Sequence, residues 1–302
     1  MSAAGRHPLA VVIRAPRAAL RPFVHSLWVS SGAGLPSPGA REHSIPTGRM
    51  HLVIRTTGEP VRIFAGAADR EGQTCGPSVV AGPRSTFHIK DVATPAHAVG
   101  AELHPAASLA LFGAPADLLA HRHLPLDAVW PAAAAGELRE RLALAPGPQR
   151  QLDVLEAALA GRLPRVQGLH PAVALALDRL DSFARIADVV RESGYSHRTF
   201  SLEFRRAMGL GPKRFLRVRR MADLLHHLGN ARWADLAAEA GFSDQAHMVR
   251  EFVAFTGVTP TCYRALRPPL PHHVRIQTQD GHGGGPRDAS RSAATRSRRP
   301  FR

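Results

Sequence analysis

Cysteine is almost missing from this chain: Cys75 and Cys262 are the only two in 302 residues. That excludes a disulfide framework and a Cys-rich zinc cluster, and it fits a reducing compartment. Lysine is nearly as scarce, since Lys90 and Lys213 leave the other 37 basic residues as arginine. No run approaches the ~18 apolar residues that span a bilayer, and the N-terminal MSAAGRHPLA lacks the apolar core of a signal peptide. The expectation is a soluble cytoplasmic protein that does not engage a membrane. Phosphate-cradling glycine loops and a GxSxG nucleophile elbow are also absent, because GAGLPSPG and GHGGGP are loop and tail composition.

Charge is present in excess of one sign. The net charge is +15, which suits an anionic partner. It spreads as +5 over residues 1–169 (17 basic against 12 acidic), +5 over 170–267 (15 against 10) and +5 over 268–302 (7 against 2). Bulk charge therefore does not locate a site. With 44% hydrophobic residues the chain can bury a sizeable core, and its length suits two domains.

A repeated pattern does locate a site. IADVVRESGYS (186–196) and WADLAAEAGFS (233–243) match at an offset of 47, Gly194 with Gly241 and Ser196 with Ser243. Glycine sits where a first helix must stop, because a left-handed C-terminal residue costs least without a Cβ; serine follows as the cap of the next helix. Beyond the turn, Phe200 and Phe204, and likewise Met248 and Phe252, stand four apart, so each second helix buries one stripe and exposes the other. This is a duplicated helix-turn-helix, with units at 186–208 and 233–256. Seven residues separate Ser196 from Phe204 and eight separate Ser243 from Phe252, so the second reading helix carries one inserted residue near its start.

The exposed stripes are the candidate reading faces: Arg198, Ser201, Leu202 and Arg205 in the first, and Gln245, Ala246, His247, Val249 and Arg250 in the second. Arg and Gln form bidentate pairs with guanine and adenine edges. Arg206, Lys213, Arg214, Arg217, Arg219 and Arg220 follow the first unit and are read as phosphate contacts, which position without specifying. Any one of these residues alone fits a solvated helix face equally well. A helix after Gly211, opened by Pro212 and carrying Phe215, Val218, Leu224, Leu225 and Leu228 on one side, would join the units rigidly.

With its second copy ending in Gly257, Thr259, Pro260 and Tyr263, the segment 170–267 resembles the DNA-binding domain of AraC/XylS-type transcriptional regulators. The resemblance implies base reading from the positions of Arg198, Ser201 and Leu202 in the first helix and of Ala246, His247 and Arg250 in the second. Leu202 departs from the family pattern, standing where an arginine is common and where the second copy has Arg250.

Ahead of this segment, short apolar runs (9–14, 50–55, 61–64, 78–82, 86–92 and 97–103) separated by Gly, Pro and Asp predict an antiparallel barrel or sandwich. Helices are expected over 106–112, after Pro115, and through GELRERLALA and QRQLDVLEAALAGRL. PTGRMHLVIR, GAELHPAASLALFGAPADLL and HLPLDAVW resemble the cupin-like sensor domain of one branch of these regulators; His51 stands where an acidic residue is usual. The overall expectation is an α+β multidomain chain. An N-terminal cupin-like β-barrel with following helices covers 1–163, a linker 164–170 and an all-α DNA-binding domain 171–267. The last stretch, 268–302, has almost no apolar content and reads as a disordered basic tail.

Cupins often bind metal, and His43, His51, His88, His97, His104, His121 and His123 lie in or just after the barrel. The HxH…E…H spacing is missing, so structural or surface histidines are the favoured reading and neither metal nor cofactor is expected. The leading functional expectation is a ligand-responsive, non-enzymatic transcription regulator. Its partners would be double-stranded promoter DNA, RNA polymerase and a small-molecule effector, with homodimerisation left open; activation is the family-weighted sign of regulation. The alternative is a DNA-binding module fused to a metal-dependent cupin-type enzyme or repair activity.

Overall fold

The computed structural model describes residues 10–32, 39–163, 169–180, 185–229 and 231–276. Its strands are β1 (Ala10–Arg14), β2 (Val24–Gly32), β3 (Arg41–Ser44), β4 (Met50–Thr57), β5 (Val61–Phe64), β6 (Gln73–Gly76), β7 (Ser78–Ala81), β8 (His88–Asp91), β9 (Ala96–Leu103), β10 (His123–Pro125) and β11 (His273–Ile276). They pair antiparallel in two sheets, β1-β2-β9-β4-β7-β10 and β11-β3-β8-β5-β6. The expected barrel is found as these two open sheets; among the described residues no strand pairing closes one onto the other. One of the crossings between them, from β6 to β7, is made at Gly76, with φ of 97°, followed by Pro77, which has no N–H to offer a ladder.

The first sheet carries the N-terminal core. Met50, Leu52 and Ile54 of β4 alternate inward with no exposed surface, and Val99, Ala101 and Leu103 of β9 do the same. Helices α1 (Ser108–Phe112) and α2 (Ala116–Leu119) follow, then α3 (Ala132–Leu144) and α4 (Gly147–Ala160), which add Leu138, Leu142, Leu152, Leu155 and Leu159 to the same cluster. Glu156 of α4 is buried and is held by Arg14 at 3.0 Å and Arg17 at 3.0 Å, which ties the helix to the first strand.

The helical part comprises α5 (Pro171–Arg179), α6 (Ile186–Ser193), α7 (His197–Met208), α8 (Pro212–His227), α9 (Trp233–Glu239), α10 (Gln245–Thr256) and α11 (Pro260–Leu266). Residues 164–168 of the expected linker lie outside the described residues. Phe200, Phe204, Met248 and Phe252 have no exposed surface, so the four-residue stripes read from the sequence form the centre of this core. Its cluster also takes in Ile45 from the N-terminal part and Val274 from β11.

β11 overturns part of one expectation. Residues 268–276 are not disordered tail: His273–Ile276 pair with Arg41–Ser44 at the edge of the second sheet, and Val274 is fully buried. Residues 277–302 lie outside the described residues. The stretch is poor in apolar residues because much of its anchoring is ionic. Glu42 of β3, 5% exposed, receives Lys90 at 2.8 Å and His273 Nδ1 at 2.6 Å, with Arg275 at 3.8 Å. Burial alone would raise the Glu42 pKa, but Lys90 and His273 outweigh it and hold the carboxyl well below the usual range.

Candidate nucleic-acid interface

Each turn closes as the glycine spacing requires. Gly194 adopts φ of 71° and Gly241 φ of 69°. In the second unit Gly241 N–H donates to Ala238 O at 3.0 Å and Phe242 N–H to Ala237 O at 2.8 Å, the paired bonds of a Schellman stop. The caps of the reading helices differ, however. Ser196 caps α7, its Oγ accepting from Thr199 N–H at 3.2 Å. In α10 the cap is Asp244, accepting from His247 N–H at 2.6 Å, while Ser243 turns to His247 Nδ1 at 3.0 Å. The serine expected there has passed the role to the next residue, and this is where the inserted residue goes.

Counted from their caps, the two helices therefore register at an offset of 48. Arg198 matches Ala246, Ser201 matches Val249, Leu202 matches Arg250, Phe204 matches Phe252 and Arg205 matches Val253. Arg198, Leu202, Arg205 and Arg206 are exposed in the first helix, as are Gln245, Ala246 and Arg250 in the second; Ser201, His247 and Val249 are half-buried. Among the described residues Arg198, Arg205 and Arg250 make no hydrogen bond or ion pair. Leu202 is 44% exposed, an apolar side chain left in solvent in the middle of a reading face.

The basic residues after the first unit divide. Lys213 and Arg214 are exposed, and Arg206 lies 3.7 Å from Glu203 with its side chain largely in solvent. Arg217 pairs with Glu251 of α10 at 3.1 Å, Arg219 donates to Leu180 O, and Arg220 lies over the Phe242 ring at 5.6 Å. These three, half-buried, make contacts within the helical domain that the exposed Lys213 and Arg214 do not. Sequence spacing could not separate them, because the partner Glu251 lies 34 residues beyond Arg217.

The far ends of both reading helices rest on the N-terminal part. Gly209 (φ 73°) and Gly257 (φ 78°) stop α7 and α10 at matching positions. A Cβ on Gly209 would meet Pro83 at 2.2 Å and Ala116 O at 2.9 Å; one on Gly257 would meet His43 at 2.4 Å and Phe87 at 2.6 Å. His43 Nδ1 also lies 3.1 Å from Thr256 O, the last carbonyl of α10.

Of the seven histidines considered as metal ligands, His43, His88, His121 and His123 line one cleft, whereas His51 and His97 are bonded elsewhere. Among the described residues no group of three His, Cys, Asp or Glu side chains is placed to share an ion. His51 is bonded to Thr47 Oγ1 at 3.2 Å, and burial lowers its pKa to about 4. His97 bridges Ser31 at 2.7 Å and Gln151 at 2.9 Å. No helix among the described residues is long and apolar enough to cross a membrane.

Two capped reading helices packed on a common α8 define a tandem helix-turn-helix domain. The family comparison agrees: a model described as a helix-turn-helix domain matches residues 189–266, and the C-terminal part of this chain is a helix-turn-helix domain of the AraC type. A second model, a domain of unknown function (DUF6597), matches residues 13–125. No curated protein matches the chain. Among solved structures, ToxT from Vibrio cholerae is similar at 10% identity and a TM-score of 0.41, over 84% of this chain and 96% of that one. Wild-type ToxT with an unsaturated fatty acid bound has the same identity and TM-score, over 86% and 96%. The C-terminal domain of AraT, a response regulator from Geobacillus stearothermophilus, is 19% identical with a TM-score of 0.30, over 39% and 97%.

Proposed function

We propose that this protein is a sequence-specific, ligand-responsive transcription regulator that reads two successive major-groove segments with α7 and α10. The carrying observation is the pair of cap-aligned reading faces, exposed and holding arginines with no partner among the described residues. A buried structural helix pairs or covers such side chains. Arg198, Arg205 and Arg250 supply forked donors for guanine, Gln245 suits adenine, and Leu202 offers the apolar surface that meets a thymine methyl. His247 contributes Nε2, since its Nδ1 is engaged by Ser243. Ser201 and Ala246 are small enough to allow close approach, and the exposed Arg206, Lys213 and Arg214 are assigned to phosphates.

Major-groove segments on one face of a duplex recur about every 10 base pairs, so one copy of the chain spans both without dimerising. The N-terminal part, resting on both reading helices at Gly209 and Gly257, is the sensor through which an effector changes promoter occupancy or contact with RNA polymerase.

The test is selection of bound sites from random duplex DNA by the full chain, followed by footprinting. The expected product is two boxes about one helical turn apart on one face. Failure to enrich any sequence would sink the reading.

A further inference from the structure

A cleft of about 760 Å³ opens between the second sheet and the C-terminal end of α10, with Ala254 and Gly257 in its wall. That volume is within the range of small-molecule sites. Its lining includes the apolar Ile63, Phe64, Phe87, Ile89 and Leu124 together with Arg84, Arg122, His88 and His123.

The polar lining is incompletely satisfied. Arg84 Nη1 donates to His121 O at 2.9 Å and approaches His123 Nδ1 at 3.4 Å, but its Nε is buried with no partner among the described residues. A guanidinium only donates, so His123 Nδ1 accepts and the neutral ring carries its proton on Nε2, which is likewise buried and unpartnered. His88 Nδ1 is a third such atom, on a ring 4.4 Å from that of His123. Two of these groups are donors without acceptors, and a buried donor is normally paired.

The charge is also uncompensated. No carboxylate among the described residues lies within ion-pair distance of Arg84. The acidic residue in the lining, Asp69, is occupied: Oδ2 accepts from Ala65 N–H at 2.8 Å, and Oδ1 from Gly72 N–H at 2.9 Å and Glu71 N–H at 3.1 Å. Burial holds the His88 and His123 pKa values far below the ordinary 6.5, His123 at about 3, so at neutral pH these rings add donors but no charge. The lining holds two arginines, Arg84 and Arg122, against Asp69, together with N–H donors and apolar side chains, which suits neither a metal ion nor an organic cation.

We propose that this cleft binds a small organic anion, its carboxylate or phosphate group held by Arg84 and His123 and its apolar body lying against Phe64 and Phe87. Arg84 presents a planar fork to two anion oxygens, and His123 Nε2–H donates to one of them. The bound molecule also touches the seat of the second reading helix, because His43 and Phe87 line the cleft and hold Gly257 and Thr256. The regulatory consequence rests on the proposed reading of DNA; the binding itself does not.

The experiment is calorimetric titration and thermal melting of the full chain, without DNA, against benzoate, hexanoate and inorganic phosphate, with benzamide as the uncharged control. At least one anion should bind and raise Tm at concentrations on the order of 10 mM or below, while benzamide should not. The carboxylate and phosphate arms show which head group is preferred. Arg84→Gln should weaken that binding about tenfold or more. Ala254→Trp, on an exposed position of α10 that fills the cleft from its helical wall, should block it in a chain that still melts cooperatively. The proposal is overturned if no anion binds, if benzamide binds equally well, or if both variants bind as the parent does. A DNA-selection failure with intact anion binding would instead count against the reading of α7 and α10.

Discussion

Leu202 and Arg250 stand at the same step of their helices, six residues past the cap, yet one is apolar and the other a forked cation. Their substitution should therefore have opposite consequences. Arg250→Ala should weaken binding to the selected site by about 1 to 3 kcal/mol and spare binding to random DNA; a uniform loss in competition assays would make it a phosphate contact instead. Leu202→Arg should bring a guanine preference into the first box at the matching step, and site selection with the variant reads this directly. The glycines behave differently again. Gly209→Ala forces a Cβ into Pro83 at a left-handed backbone position, at a cost of about 1 to 3 kcal/mol, and denaturant unfolding should register a loss of that size.

The strand β11 sets the prediction at the level of elements. Truncation after Ile276 removes the remaining basic tail, so it should lower the salt dependence of DNA binding and leave sequence preference and Tm in place. Truncation after Arg267 also strips β11, uncovers the β3 edge and leaves Glu42 with fewer cations. Tm should then fall by about 5 °C or more. Equal melting of the two truncations would mean that the strand contributes nothing. Elements also show what the sequence made legible. The helix-turn-helix units were readable because a left-handed glycine, a capping oxygen and a four-residue phenylalanine spacing are local chemistry. β11 was not, since its reason to order lies in Glu42 of β3, more than 200 residues away, and in a pocket for Val274 built by other segments. The same distance hid the roles of Arg217 and Arg219. β2 escaped notice for another reason: a bulge between Val24 and Ser26 breaks its alternation, leaving the buried Val24 and Leu27 three apart, and serine and histidine dilute the apolar run.

Across the whole molecule, buried neutral histidines make the fold sensitive to acid. Burial is the leading cause that lowers His51, His104 and His272 to about 4 and His123 to about 3, against an ordinary value of 6.5. The unfolded chain binds these protons first, so stability should fall as pH drops below about 6.5 and continue to fall toward the folded values. Glu42 acts in the same direction at lower pH: its depressed pKa stabilises the fold above about 4.5, and that contribution is lost as the pH falls further. Melting curves at about pH 7.5 and 5.5 should show the lower Tm in acid, and coincident curves would refute this account.

If α7 and α10 read DNA as proposed, the glycine seats bear on how the two boxes are counted. With α7 and α10 packed on α8 and each stopped against the N-terminal part, the second helix is already placed when the first has docked. Its engagement is then an intramolecular event at high effective concentration, and such an advantage is lost altogether when geometry forbids simultaneous contact. Inserting about five base pairs, half a helical turn, between the boxes should remove the contribution of the second box outright rather than weaken it by degrees. On the proposed reading, the spacing of the target would be written into the protein as firmly as its bases.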